Sequence, residues 1–377
     1  MSAFRFGELP LRLAWFASRA PLAPSRPICR QFRGQLRPRA YYSNQRKPTP
    51  SRRQSQSPAQ EQSFQRAPEV ARDVPEADFF NERLEKMFPK VPRVKVRYAR
   101  PGMWALAVSS GIFVGLAFLE AKREEKHERA KKMGSWLEAP QWITPRNTPL
   151  GPTELATKMW SNLDDISKLS VGLIAANTAV HASSFVVPNI WMSLWHMPAR
   201  NVNYTQFTSM FVHSGILHIF FNMYVLNNFL LPVGYSRVFE GNVNHTLAFF
   251  LSTGVLAGYA QHASTLIKKN TRMIPDIFIR AGGASGALCG VFGVLCMQYP
   301  HAGMGIMFLP VHFEAQYVLP AVMLFDFVGM VRGYSFLNLG HAAHLGGIIC
   351  GISYSYFDGK NNIWNPLVRF WRRQLKH

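Results

Sequence analysis

Long apolar runs constrain this chain more than any other feature. They cover residues 102–119, 169–187, 215–233, 246–267, 282–299, 316–331 and 341–357. Each approaches the ~20 residues with which an α-helix crosses ~30 Å of hydrocarbon. In a bilayer every backbone N–H and C=O must be satisfied within the protein, so only helices or closed barrels can span it. None of the runs alternates apolar and polar residues with period two, which excludes a barrel. The expected fold is an all-α polytopic membrane protein in which one span stands apart and six follow, joined by shorter loops. The mean hydropathy of −0.04 hides this, because it averages the spans with a polar amino-terminal arm.

That arm also explains the charge. The net charge of +21 could suggest nucleic acid. Much of the excess, however, lies before residue 100 and in the tail from Arg369 to Lys376, flanking apolar segments, and no nucleic-acid partner is expected. The first forty residues set Arg5, Arg12, Arg19, Arg26, Arg30, Arg33, Arg37 and Arg39 against Glu8, with Phe4, Phe6, Leu11, Leu13, Trp15 and Phe16 interleaved. An arginine-rich, acid-poor, amphipathic start is the signature of a mitochondrial transit peptide. Arg39-Ala40-Tyr41-Tyr42-Ser43 resembles a matrix-peptidase site. The Gln/Ser/Pro/Arg-rich stretch that follows cannot bury enough apolar surface to fold, apart from a short amphipathic helix at 77–88. Cys29 is isolated, and Cys289, Cys296 and Cys350 fall in apolar runs, so a disulfide framework is not expected.

Four polar features stand inside the apolar block. The first is Ser285, in Gly283-Ala284-Ser285-Gly286, at the head of an apolar run. Serine in a membrane helix commonly bonds its own helix, but the flanking Gly283 and Gly286 bare the backbone around this hydroxyl. A hydrolase elbow would need glycine at Ala287. The second is His344, in Gly340-His341-Ala342-Ala343-His344-Leu345-Gly346-Gly347. A buried neutral histidine can be structural; imidazole is also the usual base for a serine hydroxyl. Gly347 and Gly351 follow on the same face and would let this helix approach the serine helix closely. The third is His213, His218 and Asn222. His218 and Asn222, four apart, share one helix face, and two donors aimed at one point suit a developing oxyanion. His213, nine residues before Asn222, would point to roughly the opposite side and should matter less. Histidines at 213, 218, 341 and 344 could instead be metal ligands, but no Cys or Asp/Glu pattern accompanies them; neither metal nor cofactor is expected. The fourth is Asp326, either a functional acid or an interfacial residue beside Arg332.

Taken together, the glycine-flanked serine, the His-x-x-Gly-x-x-x-Gly helix and the His-x(4)-His-x(3)-Asn run resemble the rhomboid family of intramembrane serine proteases, in the family's order and over 169–357. The extra span, the transit peptide and the run His341 to Gly347 are similar to its mitochondrial branch, the presenilin-associated rhomboid-like proteases and their fungal counterparts. The resemblance implies Ser285 as nucleophile and His344 as base in a dyad without a carboxylate. It also implies His218, Asn222 and the Ser285 amide around the oxyanion, with Gly283, Gly286 and Gly347 supporting the motifs. Many bacterial members carry an aromatic four residues after the serine, where this chain has Cys289, which leaves open what orients His344. The implied substrates are single-pass transmembrane proteins of the mitochondrial inner membrane; the relatives are associated with a dynamin-like GTPase and cytochrome c peroxidase precursors. The implied layout is a transit peptide (1–42), a basic arm (43–100), an extra transmembrane helix (101–120), a connector (121–165), a protease domain (166–358) and a basic tail (359–377). Rival readings are a rhomboid-like protein that binds membrane clients without cutting them, and a transporter or channel, which would favour internal repeats and several intramembrane charges.

Overall fold

The computed structural model describes residues 94–134, 151–267, 275–305, 311–334 and 339–376. The expected transit peptide, the helix at 77–88 and nearly all of the basic arm lie outside the described residues. Among those described, every apolar run is helical.

The chain enters through α1 (Ala99–Gly134), 36 residues long. The apolar stretch and the charged segment after it form one continuous rod, with Arg129 paired to Glu125 one turn earlier. A short helix, α2 (Pro152–Asn162), lies within the connector. The next, α3 (Asp165–Val186), is capped by the Asp164 carboxylate, which accepts the Ser167 amide at 2.9 Å. The Tyr235 hydroxyl donates to the same carboxylate at 2.6 Å. The bonds from Ser167, and then from Tyr235, hold Asp164 at about 2, below the ordinary carboxylate range.

After the short α4 (Pro188–Ser193) and α5 (Thr205–Thr208) come α6 (Ile216–Gly234), α7 (Val243–Ser264) and α8 (Ser285–Gln298). A small antiparallel hairpin, β1 (Gly303–Gly305) with β2 (His312–Glu314), pairs Met304 with Phe313 and leads into α9 (Ala315–Val331). The last elements are α10 (His341–Tyr356) and α11 (Asn365–Leu375). The hairpin was not foreseen from sequence. Among the described residues, three helices, α1, α3 and α6, are long and apolar enough to cross a membrane by their own composition; α8 and α9 are shorter apolar helices.

The 14-residue α8 is the centre of the bundle, packed against α6, α7 and α10, with Gly286 to Leu288 and Gly290 to Cys296 buried. Lipid tails supply no hydrophobic drive between helices, so close association depends on backbones meeting. The α8–α10 seam shows how. A Cβ placed on Gly347 would run into the Gly286 carbonyl oxygen, and one on Gly351 into that of Gly290. Large side chains instead fill the flanks, where Leu226, Leu230, Phe239, Phe249 and Phe250 cluster with Leu288 and Val291.

The basic tail is also ordered. In α11, Val368 is buried, and Leu367, Trp371 and Leu375 pack with Ala117 and Ala121 of α1. Arg372 reaches Glu124 at 3.1 Å and Glu128 at 2.7 Å on the same helix.

Candidate active site

Ser285 is the first residue of α8, and the chain before it is pinned on both sides. His196 and Ala281 exchange backbone bonds, at 3.1 Å from the His196 amide and 2.8 Å from the Ala281 amide. The Gly283 amide donates to the Ser209 carbonyl at 2.9 Å. Gly283 itself has φ +130°, a conformation that L side chains rarely adopt, and a Cβ there would stand 2.9 Å from the His218 ring. Glycine is therefore required at 283 for two independent reasons. The serine consequently sits at a helix start, where the first N–H groups lack partners within the helix and carry partial positive charge.

His344 lies in the first turn of α10, across the glycine seam. Its Nε2 is 3.0 Å from Ser285 Oγ. At that distance an imidazole nitrogen can accept the hydroxyl proton. The two expected residues are thus brought together by the glycine contacts that the sequence pointed to.

His218 and Asn222 share a face of α6, as their spacing predicts, and line the same cavity as Ser285 and His344, with a volume of about 510 Å³. The His218 Nδ1 lies 3.3 Å from the Ser214 amide, which donates to it, and 3.1 Å from the Ser214 hydroxyl. A nitrogen that accepts an N–H bond is unprotonated, so the ring proton resides on Nε2, which faces Gly283. Asn222 donates one amide proton to the His218 carbonyl of its own helix at 2.8 Å, leaving a second for another acceptor.

One expectation is corrected. The nine-residue spacing predicts His213 on the helix of Asn222, pointing to the opposite side. The helix begins at Ile216; His213 lies in the preceding loop, fully buried, with its ring centroid 5.0 Å from that of His218. Burial, reinforced by neighbouring His218, lowers it to about 3 and keeps it neutral, and its Nε2 accepts the Ala284 amide at 3.4 Å. Helical periodicity does not extend through a loop.

The structure also decides Asp326. It is 2% exposed, with Oδ1 at 2.6 Å from His341 Nδ1 and 3.2 Å from His344 Nδ1. The carboxylate thus stands behind His344, on the side away from Ser285. Gln261, which sequence reasoning missed, also lines the cavity and accepts the Ala343 amide at 3.2 Å. An amide within a long apolar helix was the available signal.

Residues 200–361 match the model of the Rhomboid domain. The chain is similar to the mitochondrial presenilin-associated rhomboid-like protein of Bos taurus, with 29% identity over 362 residues, which is 93% of this chain and 88% of that protein. It is 32% identical over 223 residues to the Homo sapiens protein of the same description, covering 57% of this chain and 55% of that protein. With presenilin-associated rhomboid-like protein A, mitochondrial, of Danio rerio, identity is 32% over 232 residues, or 56% of this chain and 54% of that protein. Relatives that are mitochondrial, together with helices apolar enough to cross a bilayer, mark a mitochondrial membrane protein. The chain thus carries a Rhomboid domain in an all-α polytopic frame and is similar, over most of its length, to mitochondrial presenilin-associated rhomboid-like proteins.

Proposed function

We propose that the chain is an intramembrane serine endopeptidase, a multi-pass protein of the mitochondrial inner membrane that cuts single-pass transmembrane proteins. The observation that carries this reading is the 3.0 Å approach of Ser285 Oγ to His344 Nε2 inside a cavity of the helix bundle. His344 Nε2 takes the hydroxyl proton as Ser285 Oγ attacks the scissile carbonyl. The resulting oxyanion is met by the Ser285 amide, His218 Nε2–H and the second amide proton of Asn222, donors already aimed before charge develops. His344 then returns its proton to the leaving amine as the C–N bond breaks. Water, deprotonated by the same nitrogen, releases the acyl group from Ser285.

Substrates are helices that unwind near a small or helix-breaking residue and expose one peptide bond to the cavity. By resemblance they include dynamin-like GTPase and cytochrome c peroxidase precursors. The amino-terminal arm is removed on import. The test is to incubate the purified chain in proteoliposomes with a model transmembrane substrate, beside Ser285→Ala. Cleavage by the unaltered protein and none by a folded Ser285→Ala variant is expected. Equal turnover by the two would end the serine-protease reading, and no turnover by either would favour a client-binding rhomboid.

A further inference from the structure

Asp326 carries an inference beyond the dyad. It is the sole charged residue of α9, yet it is turned inward: Leu324, Phe325 and Phe327 around it are 64%, 40% and 52% exposed, whereas Asp326 is 2% exposed. A carboxylate held inside a membrane bundle needs partners. Both it finds are rings of α10, His341 and His344, one helical turn apart.

His341 is boxed in. The rings of Phe325 and Tyr334 meet it edge-on at centroid distances of 5.5 Å and 5.3 Å. Gly329 leaves it room, since a Cβ there would stand 2.6 Å from the ring. Its Nδ1, at 2.6 Å, anchors the Asp326 carboxylate. The same oxygen then faces His344 Nδ1 at 3.2 Å. A lone pair on that nitrogen would repel the carboxylate, so Nδ1 of His344 carries the proton. In a neutral ring this leaves Nε2 as the unprotonated nitrogen, the one that faces Ser285. The residue one turn after Ser285, Cys289, bears no ring that could brace the imidazole.

We infer that Asp326 is a positioning residue that selects the Nδ1–H tautomer of His344 and aims its Nε2 at Ser285, with His341 anchoring the carboxylate. The tautomer follows from the geometry; its kinetic consequence rests on the protease reading proposed above. The same three ligand atoms lie within 4.8 Å of one another, a spacing that could also hold a metal ion. The hydrogen-bonded arrangement is favoured because two imidazole donors already satisfy the carboxylate.

The test pairs a spectroscopic readout with a kinetic one. The full chain, labelled with ¹⁵N-histidine and placed in lipid nanodiscs, is compared with Asp326→Asn, and His344→Asn assigns the ring signals. The unaltered protein should show neutral His344 protonated at Nδ1, and Asp326→Asn should lose that preference. On a transmembrane substrate, Asp326→Asn should lower kcat at least ~10-fold, and up to the ~10⁴ that the wrong tautomer costs a serine protease. KM should be unchanged, because binding is not altered. An Nε2–H tautomer in the unaltered protein overturns the inference even if Asp326→Asn does not fold. So does a kcat equal to that of the unaltered protein in Asp326→Asn, or a stoichiometric metal ion retained by the unaltered chain and lost in the variant. Nδ1–H in a protein that cleaves nothing leaves the positioning intact and removes only the protease reading.

Discussion

The α8–α10 seam and the α1–α11 contact are both helix pairs in one protein, and they are built in opposite ways. At the seam the contacts are backbone on backbone, with Gly347 against the Gly286 carbonyl and Gly351 against that of Gly290. At the α1–α11 contact they are made by side chains: Trp371 and Val368 on Ala117 and Ala121, with Arg372 bridging Glu124 and Glu128. Backbone contacts have no rotamers through which to relax, so they hold Ser285 and His344 in one geometry. Long side chains and exposed ion pairs adjust. The protein places rigidity where Ser285 meets His344 at 3.0 Å and tolerance where a helix need only dock.

The comparison is broken most directly at Gly347. Replacing it by valine should have the largest effect on stability of the changes compared, because the added atoms meet a carbonyl that cannot swing aside. A loss at or above the ~1–3 kcal/mol typical of overpacking is expected, together with loss of turnover. Thermal unfolding in detergent beside an activity assay checks this, and a Gly347→Val protein of normal stability would mean that the seam is loose.

A second change sharpens the comparison by separating chemistry from rigidity. Asn222 bonds within its own helix, not across to another, so Asn222→Ala should leave the fold in place. If its free amide proton meets the oxyanion, kcat should fall ~10²–10³-fold. Rate and melting temperature measured on one preparation decide it: a lower melting temperature with unchanged turnover would make Asn222 structural.

The smallest effect is expected at the other contact. The Arg372 and Glu124 side chains are each 37% exposed, and that of Glu128 is 51% exposed. Partly exposed ion pairs contribute ~0–1 kcal/mol. Arg372→Ala should therefore shift stability by no more than that and leave kcat unchanged, as read by denaturation and substrate cleavage. A loss as large as that of Gly347→Val would show that α11 is part of the rigid core.

What the sequence alone determined was everything that hydrophobic length and local spacing control. The apolar runs mark the helices because crossing hydrocarbon is a property of a continuous stretch. Gly283, Gly286 and Gly347 marked where backbones would be bare, and so drew attention to Ser285 and His344. The four-residue spacing put His218 and Asn222 on one face. Only the tertiary structure decided which way each helix turns. A run that is apolar all round has no stripe to fix its rotation, so nothing local said that α9 would turn Asp326 inward toward α10. Periodicity could not follow the chain through the loop that carries His213 to the Ala284 amide. Nor could the basic tail reveal that Arg372 would find its partners in Glu124 and Glu128 of α1, more than two hundred positions earlier. Those contacts depend on how the helices rotate and dock in three dimensions, which is set by small residues meeting across the bundle rather than by any one segment.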